Sequence, residues 1–126
     1  MTIITRRLKV TGNKQIEEEF EALFDSGSSR SFLSSESAER ICTIDIFDKP
    51  EPIILGDGKT TVNAIGSCWF IADLDGCIIR DDAWVLEYCS TDMIIGARTL
   101  ENYNIKLDFE NDTVDLSSCK SMNILV

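Results

Sequence analysis

From Glu17 to Asp25 the chain alternates: Phe20, Ala22 and Phe24 fall on one face, Glu19, Glu21, Leu23 and Asp25 on the other. An alternation of period two marks a strand with one face in a core. The strand then runs directly into Asp25-Ser26-Gly27-Ser28-Ser29. It therefore delivers a carboxylate onto a tight, Gly-containing loop held by a buried scaffold. A carboxylate so placed is costly unless hydrogen-bonded, and hydroxyls and glycine amides are the partners it needs. Because Leu23 and Asp25 share a face, the carboxylate points across an apolar wall.

The remaining chain reads as more strands of the same kind. Ile3 to Val10 mixes β-branched and basic residues, and Thr11-Gly12-Asn13-Lys14 turns it back. Ser34 or Ser35 can cap a short helix through Ile41, with Glu36 in its first turn. Thr43 to Phe47 reads as a strand, and Asp48-Lys49-Pro50-Glu51-Pro52 as a break too short for a domain linker. Ile53 to Val62 reads as a hairpin with a mobile Gly56-Asp57-Gly58 tip. Val62 to Leu74 is a long apolar strand in which Gly66 marks a bulge or a close approach. Asp75-Gly76 is a two-residue hairpin signal leading into Cys77 to Arg80, and Trp84 to Leu86 continues as strand. Met93-Ile94-Ile95 is a short buried strand ended by Gly96, with a helix over 97–103. Ile105 to Phe109 alternates, and Glu110-Asn111-Asp112 turns it into Thr113 to Leu116. The tail Met122 to Val126 is apolar and wants a partner. Many short strands with one or two short helices predict a mostly β, small, closed barrel-like domain.

The chain has 126 residues, enough for one domain over 1–126 but not for two. A net charge of −10 argues against nucleic-acid binding, which needs Lys and Arg to neutralise phosphates. No apolar run reaches the length of a membrane span, and the first residues lack a signal-peptide core. The expected location is cytoplasmic. Cys42, Cys68, Cys77, Cys89 and Cys119 form no Cys-x-x-Cys pair, and the count is odd, so buried reduced thiols are expected. The absence of histidine removes Ser-His-Asp and Cys-His catalysis and His-containing zinc sites. Acid–base chemistry then falls to carboxylates, Lys, Tyr or Cys. No metal and no cofactor is expected.

Asp25-Ser26-Gly27 after an apolar pair resembles the catalytic loop of aspartic peptidases. Met93-Ile94-Ile95-Gly96-Ala97-Arg98-Thr99-Leu100 resembles their second signature, an apolar pair, a glycine and a short helix. Order, spacing and chain length together are similar to the retropepsins, the single-domain branch that includes retroviral proteases. The resemblance covers roughly Phe20 to Leu116. It implies an acid protease fold and an aspartic endopeptidase acting on peptides or unfolded protein. Two carboxylates close enough to share a proton supply both a base for water and an acid for the leaving amine; aspartic proteases are the standard illustration of this pairing. With one Asp-Ser-Gly in the chain, the second carboxylate must come from a second copy, so the resemblance implies a homodimer with Asp25 beside its mate.

Other roles follow from the same resemblance. Ser26 matches the hydroxyl that bonds across the dimer axis, and Gly27 the glycine that turns the loop against the substrate backbone. Ser28 stands where retroviral members usually have Ala; its hydroxyl is expected near the paired carboxylates, lowering the pH optimum. Ser29 and Arg30 line the next part of the groove, and Gly56, Asp57 and Gly58 match the tip of the flap. The tip departs from the retroviral pattern by its Asp, and residues 66 to 92 are longer. The alternatives are a non-catalytic peptide-binding or assembly module on the same fold, and a small-ligand carrier with a flexible lid.

Overall fold

The computed structural model describes residues 3–119. Alternation builds the first two strands. β1 (Ile4–Thr11) buries Ile4, Leu8 and Val10, and β2 (Glu17–Asp25) buries Phe20, Ala22 and Phe24. The two pair antiparallel, Leu8 against Phe20 and Ile4 against Phe24, so one apolar face is continuous across both.

β3 (Phe32–Ser34) leads into α1 (Ser35–Ile41). The Ser34 side chain caps this helix by accepting from the Ser37 amide at 3.1 Å, with Glu36 in the first turn and Arg40 in the last. β4 (Asp45–Ile54) and β5 (Thr61–Leu74) form the hairpin that carries Gly56-Asp57-Gly58. β5 turns at Asp75-Gly76 into β6 (Cys77–Leu86). Both turn residues have positive φ, 49° and 92°, as a two-residue hairpin whose twist matches its strands requires. β7 (Met93–Gly96), α2 (Ala97–Asn102), β8 (Lys106–Asp108) and β9 (Thr113–Asp115) complete the described chain.

The sheet order is β1-β2-β7-β3-β6-β5-β4, and a further β1–β5 pairing closes the first six of these into a barrel. Lys9, Val10 and Thr11 of β1 face Asp73, Ala72 and Ile71 of β5 at that seam. Closure leaves β4 outside, paired only to β5, while β8 and β9 form a separate ribbon. Phe20, Phe70, Leu33, Ile79 and Ile95 are fully buried in the barrel. Tyr103, also buried, ties the end of α2 to β6: its hydroxyl accepts from the Arg80 amide at 2.9 Å and donates to the Arg80 carbonyl at 3.0 Å.

Two expectations are corrected. The break at Asp48 to Pro52 is strand: β4 runs through it, with a register shift between Ile46 and Glu51. An edge strand hydrogen-bonds on one side only, so prolines are tolerated there. The cysteines are not all reduced thiols. Cys42 pairs with Cys68 and Cys77 with Cys119, with Cα–Cα distances of 6.2 and 6.1 Å, leaving Cys89 free. These partners lie 26 and 42 residues apart in sequence, so only the folded barrel brings them together. Gly66 behaves as expected. A side chain there would meet the Asp45 carbonyl oxygen at 2.5 Å, and the β5–β6 register shifts between Ala64 and Gly66. The apolar tail at Met122 to Val126 lies outside the described residues. Among the described residues, no helix is long and apolar enough to cross a membrane.

Candidate active site

Asp25 ends β2 where that strand runs parallel to β7, and its register partner is Gly96. It is half-buried. Its Oδ1 accepts the Gly27 amide at 2.9 Å, and the Ser28 amide donates to the Asp25 carbonyl at 3.1 Å. The carboxylate is thus fixed by the backbone of its own turn, one of the partners a half-buried anion needs. Asp25, Ser26 and Gly27 border a cleft of about 580 Å³ whose other walls are Ile3, Leu23, Phe24 and Phe109.

The loop is clamped to the second signature. α2 has no side-chain cap at Gly96, and the loop carbonyls supply what is missing. The Ala97 amide donates to the Ser28 carbonyl at 2.6 Å, and the Arg98 amide to the Ser29 carbonyl at 3.2 Å. Helix-terminal amides without partners inside the helix are satisfied by the loop they hold. The approach is close: a side chain at Gly96 would collide with the Arg30 carbonyl and come within 2.8 Å of the Ser28 carbonyl oxygen.

A buried polar chain lies behind this clamp. The Gly96 amide donates to Ser31 Oγ at 3.1 Å, and Ser31 Oγ shares a hydrogen bond with Thr99 Oγ1 at 2.7 Å. Thr99 Oγ1 lies 2.6 Å from Asp81 Oδ2. Arg98 bridges Asp81 at 3.3 Å and Asp82 at 3.1 Å. Ser31 and Thr99 are fully buried, and each hydroxyl is partnered, which makes the chain a rigid brace rather than a cost. Sequence reasoning missed Ser31, Thr99 and Asp81. The signal was there in each hydroxyl beside apolar neighbours, but the partner lay on another element.

Over 91% of this chain and 88% of the other, the fold is similar to the crystal structure of the retroviral protease-like domain of Ddi1 from Leishmania major, with a TM-score of 0.65 and 22% identity. The fold is retropepsin-like. It is also similar to the EIAV protease complexed with the inhibitor HBY-793, with a TM-score of 0.56 and 19% identity over 82% of this chain and 90% of that one. No protein-family model matches the sequence, and no curated protein sequence does.

Within the retropepsin-like fold, Asp25, Gly27, Ser28 and Arg30 are joined by the bonds of one loop, while Ser26 and Ser29 are exposed on it. The Ser28 hydroxyl donates to the Arg30 carbonyl at 2.8 Å. In the single chain this bond braces the loop, and Asp25 Oδ1 is held by the Gly27 amide instead. Gly56, Asp57 and Gly58 form the exposed β4–β5 tip, where Gly58 has a φ of 73°. Asp57 Oδ1 accepts the Lys59 and Thr60 amides at 2.8 and 2.7 Å, and its Oδ2 accepts the Thr60 hydroxyl. These bonds hold the Asp57 carboxyl below the usual carboxylate range, the Thr60 side chain contributing most. Among the described residues, no group of three or more Cys, Asp or Glu side chains is placed to hold a metal ion.

Proposed function

We propose that residues 1–126 form one retropepsin-like domain that works as a homodimeric aspartic endopeptidase, with Asp25 of each copy in a shared dyad. The observation that carries this reading is Asp25 itself, half-buried at a strand end, held by the Gly27 amide and facing an apolar cleft. One chain supplies one such carboxylate. Ile3 and Phe109 leave 64% and 42% of their surfaces exposed beside it, an apolar rim that a second copy would cover. A two-fold axis through the rim would set the two carboxylates together. One carboxylate of the pair then draws a proton from water while the other protonates the leaving amine. In this reading Ser26 bonds across the axis, Gly27, Ser29 and Arg30 contact an extended peptide, and Gly56-Asp57-Gly58 closes over it. The reaction uses no cofactor or metal.

The test is cleavage of a random peptide mixture between about pH 4 and 7, the range open to a carboxylate pair. Wild type and Asp25→Asn are compared at a concentration where sedimentation shows a dimer. The expected result is cleavage that falls at least about 100-fold in Asp25→Asn with the dimer intact. A dimeric wild type that cleaves nothing would instead favour a non-catalytic peptide-binding or assembly module.

A further inference from the structure

Arg30 leaves the same loop as Asp25, and its side chain is only 27% exposed. Its guanidinium carbon sits 4.0 Å from the centre of the Trp84 ring. Such stacking orients the planar fork and strips water from it while leaving its edge N–H groups free to donate. Its ion pair with Asp82 is long, 3.9 Å, and Asp82 lies closer to Arg98, at 3.1 Å. Arg30 is therefore oriented and partly desolvated but weakly neutralised.

Trp84 belongs to a second apolar cluster, separate from the barrel core. Its half-buried members include Phe47, Ile53, Val62 and Ile94, packed on buried Phe32. Phe47 meets the Trp84 ring edge-on at 5.2 Å between centroids. Ile53 and Val62 pair across the β4–β5 hairpin one step from its loop. The cluster is thus an apolar wall running from the flank of the Asp25 loop to the neck of that hairpin, just below its tip, with one guanidinium on it.

We propose that Arg30 and Trp84 form an acid-selecting subsite of the peptide groove. This deepens the endopeptidase reading and rests on it. A peptide extended along the wall sets an apolar side chain against Phe47, Ile53 and Ile94. A nearby Asp or Glu carboxylate then takes the two-pronged hydrogen bonds of the Arg30 fork. The chain's net charge of −10 makes the inference sharp, because its overall field favours basic peptides. An acidic preference at one position runs against that field and must come from a local cation.

The experiment uses peptides identical except for Asp or Glu, Asn or Gln, and Lys at one position, scanned along both sides of the cleaved bond. Cleavage is measured with wild type, and binding by fluorescence anisotropy with Asp25→Asn. At one position, kcat/KM and affinity are expected to be at least about 10-fold higher for the acid than for its amide. That ratio should shrink with added salt, fall to near unity in Arg30→Gln, and turn toward Lys in Arg30→Glu. Equal use of acid and amide overturns the proposal, as does a preference that survives Arg30→Gln or ignores salt. The salt series on wild type decides the matter if the variants fail to fold by circular dichroism. Arg30-dependent binding of acidic peptides without cleavage would sink the endopeptidase and keep the subsite. Cleavage without acid preference would do the reverse, and neither cleavage nor binding would overturn both.

Discussion

Gly96 and Ser28 meet at the clamp between the two signatures, and each makes a claim that one substitution tests. At Gly96 an added β-carbon has nowhere to go, since backbone carbonyls of Arg30 and Ser28 occupy the space. Gly96→Ala must push the Asp25 loop away from α2. The expected cost is about 1–3 kcal/mol, the range of overpacking in a tight interior, read by urea denaturation; a variant as stable as wild type would show that the clamp gives way freely. Ser28→Ala removes a hydroxyl that donates to the Arg30 carbonyl. It is expected to cost about 1 kcal/mol and to leave the acidic limb of a pH–rate profile in place. Upward movement of that limb would mean the hydroxyl acts on the carboxylate after all. Both residues are visible in sequence as part of the signatures. What each side chain touches is not, because the contact spans the loop and the helix.

The β4–β5 hairpin is legible as an element, since Gly56-Asp57-Gly58 between two apolar runs reads as a tip, while the bonds within the tip come from Asp57. The Asp57 carboxyl lies below its ordinary value of 3.8, first through the Thr60 hydroxyl and then through the Thr60 and Lys59 amides. A group with a depressed folded-state value stabilises above its unfolded value, and that contribution is lost as pH falls through the folded one. The tip should therefore stay ordered across about pH 4 to 7 and loosen only in stronger acid. Amide exchange at Lys59 and Thr60, taken relative to the intrinsic rate at each pH, checks this: protection should be high at about pH 5, lower below the ordinary value of 3.8, and lost at both in Asp57→Ala. Pro50 and Pro52 mislead at the same scale. Proline forbids an interior strand, and only the sheet order shows that β4 is an edge.

At the scale of the whole molecule, the two disulfides staple α1's end to β5 and β6 to the stretch after β9. Alkylation of the native protein should label Cys89 alone, and slowly, because burial first and the Asp92 charge second raise its thiol. Cys42, Cys68, Cys77 and Cys119 should label only after reduction; labelling of all five without reductant would return them to free thiols. Disulfides persist in oxidising surroundings, so the cysteines no longer point to a reducing compartment. The amino-acid sequence by itself determined most of the strands, a helix capped at Ser34 or Ser35, the Asp75-Gly76 turn and the loop that presents Asp25. Each of these is set by periodicity, capping or turn chemistry within a few neighbouring residues. Only the tertiary structure decided that Gly96 lies against Asp25, that Ser31, Thr99 and Asp81 brace the loop, that Arg30 lies on Trp84, and which cysteines pair. Those partners sit on different strands and helices, and it is barrel closure that makes them neighbours.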